Sequence, residues 1–430
     1  MNPRKIVKKI IPQRVFRGVV PYGHLVEGVA YNYANGFPAR GMNVVGVTGT
    51  NGKTTTAFLI HRMLTEAGYK TGLLTTVAWG VGRDIRHETQ HMTNVPMPLL
   101  MQRLKQMKAE GVEWLVLETT SHALMQRRTW GVPYSIAALT NISQDHLDYH
   151  GAMEHYAATK QRLFKLAQRN KKGLQMGIAN ADDQYGASFA AETQNSILYG
   201  IKAGDLRAKH LKLSVDGVHY DAVAQDETYH IESKLPGRFN VYNSLAAVCV
   251  GRAIGLTKAQ IEQGIAALDG VAGRMERVDA GQKFTVVVDY AHTPDALENV
   301  LGSLRENTKG KVAIVFGATG DRDKGKRGPM GEVAARLADR IYLTDDETYT
   351  EDPEAIRKAV MGGIIVAGGK NKTEVIPDRL AAIRTAFTAA RPGDTVLLAG
   401  IGHQDYRAMG SEKQPWDESE VARKLLKKLV

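Results

Sequence analysis

The chain has 430 residues, a length that predicts two or three domains rather than one. Hydrophobic residues make up 43% and charged residues 23%, an ordinary globular balance in which no long disordered tract is expected. The net charge of +11 admits a phosphorylated or acidic ligand, a membrane surface or nucleic acid, and with no run of lysines interleaved with aromatics nucleic acid is not expected.

The first forty residues read as a short helical extension. They are basic, but no apolar core with a small-residue cleavage site follows, so a signal peptide is not expected. No segment offers about 18 uncharged apolar residues, so no membrane span is expected either. An amphipathic helix is expected at about 22–34. Its apolar face would pack on the next domain, meet a protein partner or touch a membrane surface peripherally.

From Gly41 apolar strands alternate with amphipathic helices. "NVVGVTG", "TGLLTTV", "EWLVLE", "SIAALTNI" and "GLQMGIAN" read as strands, and the segments 54–67, 99–110 and 153–169 as helices. That order predicts an α/β fold with a parallel, doubly wound sheet in a central P-loop-type domain, residues 41–271. Residues 196–234 change to short alternating runs, read as a small antiparallel β insert, and 235–268 return to helix. The lone cysteine, Cys249, lies in an apolar helical run. It forms no internal disulfide and reads as a buried small hydrophobe, which suits a reducing cytoplasm. Four further apolar strands, "FTVVVDYA", "KVAIVFGA", "DRIYLTDD" and "DTVLLAG", each separated by helix, predict a second, Rossmann-like α/β domain over 272–430. Two such units in series create a cleft.

"GVTGTNGKTT" runs a strand through a glycine-rich turn into a helix. It fits the phosphate-loop pattern loosely, because five residues separate Gly46 from Gly52. The physics holds nonetheless: glycines let backbone amides face phosphate oxygens, and the helix N-terminus adds positive potential. Lys53 then reaches the terminal phosphates, and the Thr54 hydroxyl suits Mg²⁺. Glu118 ends a buried strand at the same carboxyl edge, where a hard cation finds an oxygen ligand. The next parallel strand leads to Asp145, His146 and Asp148. His122 and His150 read as capping or packing residues.

Together "GVTGTNGKTTT", "ETTSHAL", "TNISQDHLDYHG", "ATKQRLF", "PGRFNVYNSLAA", "GRMERV", "DYAHTPDALENVL", "GATGDRDKGKRGPMG" and "AGIGHQDY" resemble the Mur ligase family over about residues 41–430. Within it they are most similar to the branch that adds the third amino acid of the peptidoglycan stem. The resemblance implies ATP-dependent amide formation on a muramoyl-peptide carboxylate through an acyl phosphate. It implies ATP contacts from Gly49, Thr50, Asn51, Gly52, Lys53, Thr54, Thr55, Asn240, Arg274, Asp289 and His292. It implies one Mg²⁺ on Thr54 and Glu118, and a second on Glu118, His146 and a carbamylated Lys160. Thr93, Thr120, Gln126 and Arg128 would contact the sugar or peptide, and Lys324 and Arg327 would lie near the phosphates.

Two departures shape the expectation further. Only about forty residues precede the phosphate loop, fewer than the roughly 50 of a small domain, where the family carries a uridine-diphosphate domain. And "LTDDETYTEDP", 343–353, lacks the arginine that the family uses for diaminopimelate, while "GIGHQDY" has Ile401 and Gln404 where lysine and glutamate are usual. Asp346 and Glu347, with His403, are therefore expected to face the incoming amino acid and to favour a basic one over diaminopimelate. Two other readings stay open: a related ligase acting on a different carboxylate, of folylpolyglutamate synthase or cell-wall-amidating type, and a non-catalytic ATP-binding protein.

Overall fold

The computed structural model describes residues 13–90 and 92–429. Its first large element is an eleven-stranded sheet. From one edge to the other the strands run Thr228–Ser233, Gly217–Val223, Leu206–Ser214, Asn195–Gly200, Met176–Asn180, Tyr134–Leu139, Asn43–Thr48, Trp114–Glu118, Thr71–Leu74, Ala78–Val81 and Asp84–His87. The middle of the sheet is parallel. Its strands are apolar throughout because both faces are covered. Val45, Val47 and Val116 meet the helices Lys53–Glu66, Arg238–Ile254 and Lys258–Ala266. Val44, Leu115 and Leu117 meet the helices Met97–Ala109 and Met153–Arg169 on the other side.

The sheet is extended at both ends. The run 196–234 carries the expected antiparallel hairpins, joined to the main sheet through Asn195–Gly200, which pairs in parallel with Met176–Asn180. At the opposite edge a hairpin, Ala78–Val81 with Asp84–His87, extends it.

A second sheet of six strands follows, in the order Glu276–Arg277, Thr285–Asp289, Thr395–Ala399, Val312–Phe316, Arg340–Leu343 and Thr373–Val375. All its pairs are parallel except the first. Helices again pack on both faces. The N-terminal helix runs Gln13–Ala34, continuing through Pro21 and starting earlier than the sequence suggested. Among the described residues no helix is long and apolar enough to cross a membrane.

Candidate active site

The parallel register sets the site. Val47 lies opposite Glu118, so the chain leaves its strand toward the phosphate loop beside that carboxylate. Two glycines make the loop possible. Gly49 has φ of 145°, and a Cβ there would stand 1.9 Å from Thr140 Oγ1. Gly52 has φ of 82° at the start of the helix Lys53–Glu66, and a Cβ there would stand 2.3 Å from Asn243 Oδ1.

The loop is held from beneath and from both sides. Lys160 lies behind it, buried, donating from Nζ to Gly49 O at 2.5 Å. Its ammonium sits 4.6 Å from the centre of the Tyr156 ring, whose hydroxyl meets Thr50 Oγ1 at 3.2 Å. The Asn51 amide N–H donates to Asn141 Oδ1 at 3.0 Å. Lys53 folds back, donating to Thr50 O at 2.7 Å. Burial lowers the Lys53 pKa, against the raising pull of Glu118 and Asp145. Burial, with Lys53 nearby, pushes that of Lys160 well below the usual lysine value.

Thr54 Oγ1 donates to Glu118 Oε2 at 3.0 Å, and the Thr76 amide donates to the same oxygen at 3.1 Å. A neighbouring asparagine organises the rest. Asn94 Nδ2 donates to Glu118 O at 2.8 Å, while its Oδ1 accepts from the amide and hydroxyl of Thr120, each at 3.0 Å. Arg128 donates to Asn94 O at 2.8 Å. Thr93 meets Thr76 hydroxyl to hydroxyl at 2.6 Å, and Gln126 donates to Tyr149 Oη at 3.1 Å. Asn94 had no motif to mark it and was missed by the sequence reading.

His146 adopts a left-handed backbone, φ 54°, with Nε2 at 3.3 Å from Asp145 Oδ2. Its ring packs edge-on to His122, 4.7 Å between centres. Burial lowers the pKa of His146 to about 3 and that of His122 to about 2, so both imidazoles are neutral at pH 7. A neutral imidazole is the form that ligates a metal.

The second sheet closes the site. Arg274 lies over the Tyr290 ring, 4.6 Å to its centre, with Nη2 at 3.4 Å from Thr54 Oγ1. Asp289, at a strand end, accepts from the amides of Met275 and Ala291, each at 2.7 Å. His292 Nδ1 lies 2.7 Å from Tyr290 O. Asp295 Oδ2 accepts from Asn51 Nδ2 at 2.6 Å, linking the second unit directly to the phosphate loop. The cleft holds about 970 Å³ and is lined from both units.

Residues 47–251 match the model described as "Mur ligase middle domain", and 273–402 that described as "Mur ligase, glutamate ligase domain". The chain is 41% identical over 414 residues to the UDP-N-acetylmuramoyl-L-alanyl-D-glutamate–2,6-diaminopimelate ligase of Geobacillus thermodenitrificans, covering 95% of this chain and 84% of that one. The chain belongs to the Mur ligase family. A UDP-N-acetylmuramyl-tripeptide synthetase of a Roseiflexus species is 41% identical over 412 residues, covering 92% of this chain and 80% of its own. A solved diaminopimelate ligase structure superposes with a TM-score of 0.62 at 31% identity, covering 91% of this chain and 79% of that one. The folylpolyglutamate synthase of Mycobacterium tuberculosis superposes with a TM-score of 0.73 at 17% identity, covering 87% and 92%, a likeness of fold alone.

In this Mur ligase most of the residues expected from sequence converge on the cleft: Thr50 to Thr55, Thr93, Glu118, Thr120, Gln126, Arg128, His146, Asn240, Arg274, Asp289 and His292 all line it. Asn240 is buried there, accepting from Asn243 Nδ2 at 2.8 Å. Gly49, Lys160, Asp346, Glu347 and His403 are not on its lining. The acidic stretch does not form an open acidic surface. Asp346 and Glu347 are buried, and Glu347 accepts from Gln404 Nε2 and from the Ala408 amide, each at 3.1 Å. Arg407 Nη2 donates to Asp345 O at 2.7 Å and Asp346 O at 3.0 Å. Glu347 and the backbone around Asp346 hold this turn together, while among the described residues Asp346 Oδ1 accepts only from the Glu347 amide at 2.8 Å. In the basic loop Arg327 and Lys324 pair with Glu351 at 3.0 and 3.3 Å, while the buried Lys326 approaches Asp145 at 3.9 Å.

Mg²⁺ fits Thr54 and Glu118. The hydroxyl and carboxylate stand together at the loop, and this ion takes one or two protein oxygens and completes its shell with phosphate and water.

Proposed function

We infer that the chain is an ATP-dependent amide ligase acting on a muramoyl-peptide carboxylate. The observation that carries this reading is the cleft in which Thr54, Glu118 and the second unit's Arg274 meet over one phosphate loop. The reading also draws on the printed names of the relatives, several of which join 2,6-diaminopimelate to UDP-N-acetylmuramoyl-L-alanyl-D-glutamate.

A carboxylate is a poor electrophile, so it takes the γ-phosphoryl group of ATP, giving an acyl phosphate and ADP. The amine of the amino acid then attacks the carbonyl carbon. Phosphate leaves, and the amine gives up a proton as the amide forms. Most of the protein's work is positioning and charge neutralisation. Lys53 swings from Thr50 O to the β and γ phosphates, and Arg274 moves against the transferring group. Asp289 faces the ribose, Asn240 and His292 the nucleoside side. Thr93, Thr120, Gln126 and Arg128 orient the acceptor. Thr54 and Glu118 would hold Mg²⁺, which supplies positive charge to the phosphate oxygens.

Lys160 would carry a carbamate and, with Glu118 and His146, hold a second Mg²⁺. Support comes from its burial and lowered pKa, since the free amine is the form that adds to carbon dioxide. Lys160→Ala is expected to lower turnover by at least about a hundredfold, with partial recovery in added acetate or formate. Unchanged turnover would remove the carbamate from the scheme.

The finer choice of a basic amino acid over diaminopimelate rests on the absence of arginine from 343–353. Arg322, which lines the cleft and lies 4.9 Å from the Tyr349 ring centre, is the cation that argues the other way. The test is phosphate release from Mg-ATP with UDP-N-acetylmuramoyl-dipeptide and single amino acids, with product mass recorded. Turnover with lysine or ornithine alone supports the basic choice, and turnover with diaminopimelate alone overturns it. ATP binding without turnover on any amino acid moves the acceptor to another carboxylate. We place the reaction in the cytoplasm, where ATP and reduced cysteine are found.

A further inference from the structure

The N-terminal helix Gln13–Ala34 has one face that the ligase site does not use. Its inner face is locked to the body. Asn32 Nδ2 donates to Gly28 O at 2.9 Å and to Trp130 O at 3.0 Å. At Gly28 the helix lies so close that a Cβ would stand 3.2 Å from that of Trp130 and 3.3 Å from Met97 Cε. The outer face is therefore not a surface waiting to pack on its own domain.

That outer face is apolar. Tyr22, Val26, Ala30 and Tyr33 fall at helical spacing along it, all exposed. Tyr22 is 63%, Val26 68% and Tyr33 72% exposed, unusual for side chains of this size on a helix. Two of the four are tyrosines, whose apolar ring and polar tip suit the boundary between water and lipid.

The sequence of this segment is basic. The first forty residues carry Arg4, Lys5, Lys8, Lys9, Arg14, Arg17 and Arg40 against a single acid, Glu27, which is paired with His24 at 3.1 Å. The exposed Arg127 sits over the Tyr22 ring, 5.4 Å from its centre. An apolar face with Arg127 beside it, in a segment of basic sequence, matches an anionic bilayer, where basic residues meet headgroups and apolar ones enter the acyl boundary. A second copy of the chain would set these cations against each other across a symmetric interface.

We propose that this helix docks the enzyme peripherally on anionic phospholipid. The ligase stays a soluble catalyst while its product forms next to the membrane.

The test uses the full chain and sedimentation with vesicles of phosphatidylcholine alone or mixed equally with phosphatidylglycerol. Partition onto the anionic vesicles is expected to exceed that onto neutral ones by at least about tenfold, and to fall as salt rises. Tyr22→Ser/Val26→Ser/Tyr33→Ser is expected to lower it by about tenfold or more while turnover in solution stays unchanged. No partition, or equal partition onto both vesicles, overturns the proposal. So does partition that the triple variant leaves intact and only Lys8→Gln/Lys9→Gln removes, since the helix face would then play no part. A dimer seen by light scattering that the triple variant makes monomeric, without vesicle binding, assigns the face to self-association instead. Solution turnover is read separately, so failure here leaves the ligase reading standing, and the reverse.

Discussion

At the scale of single residues, the phosphate loop depends on what is missing from Gly52. Its left-handed φ and the Asn243 oxygen behind it exclude any side chain. Gly52→Ala is expected to weaken ATP binding by at least about tenfold, because the amides that face the phosphates must shift. Stability should fall by only about 1–3 kcal/mol, the cost of one strained residue. Calorimetric ATP titration beside a denaturant melt separates the two, and unaltered ATP affinity would mean the amides do not bind phosphate. Glycines of this kind were legible in the sequence because spacing alone marks them. Asn94 was not, since one asparagine in a loop becomes a hub only when Glu118, Thr120 and Arg128 are brought around it. The burial of Asp346 and Glu347 was not legible for a related reason. The Glu347 partners Gln404 and Ala408 lie about sixty residues away along the chain, beyond the reach of any local pattern.

At the scale of elements, strands buried on both faces were readable as unbroken apolar runs, and the central parallel order followed from their alternation with helices. Pairing partners were not readable. Whether Asn195–Gly200 joins the main sheet is decided by its register with Met176–Asn180, a contact that periodicity does not encode. The four-residue strands Ala78–Val81 and Asp84–His87 are too short for periodicity to mark. Helix attachment in the second unit shows the same long-range dependence. Arg379, fully buried at the start of the helix Arg379–Ala389, donates to Glu418 Oε1 at 2.6 Å and to Ala399 O at 2.8 Å. Glu418, which opens the C-terminal helix Glu418–Leu426, also accepts from Trp416. Arg379→Met leaves a buried carboxylate unpaired, so a loss of about 3–5 kcal/mol is expected in urea unfolding. Adding Glu418→Gln should recover a large part, because the charge is gone and Trp416 keeps an acceptor. If the double variant is as unstable as the sum of the two singles, the pair is not coupled and the argument fails.

At the scale of the whole molecule, function requires the two units to meet: Phe239 packs on the core of the second unit, and beside the phosphate loop the contacts are polar. Asn51 to Asp295, Ser143 to Asp295, Arg274 to Thr54 and Lys326 to Asp145 all cross from one unit to the other beside the phosphate loop. None belongs to the hydrophobic core of either unit. Such a joint is strong enough to align groups and weak enough to open for product release. Asp295 is its most connected member, at the first turn of the helix Pro294–Asn307, where Thr293 already caps the helix. Asp295→Asn keeps the size of the side chain but removes the charge that accepts from both Asn51 and Ser143. A charge-assisted hydrogen bond contributes about 1.5–3 kcal/mol, so the closed arrangement should be about ten- to a hundredfold less populated. The expected result is a kcat about tenfold lower and a raised KM for ATP, with the melting temperature nearly unchanged because both cores stay intact. Radius of gyration by X-ray scattering with ATP should then show less compaction in the variant than in the parent. An equal fall in melting temperature would make Asp295 a residue of the fold. Unchanged kinetics would mean that the joint closes through Arg274 and Lys326 alone.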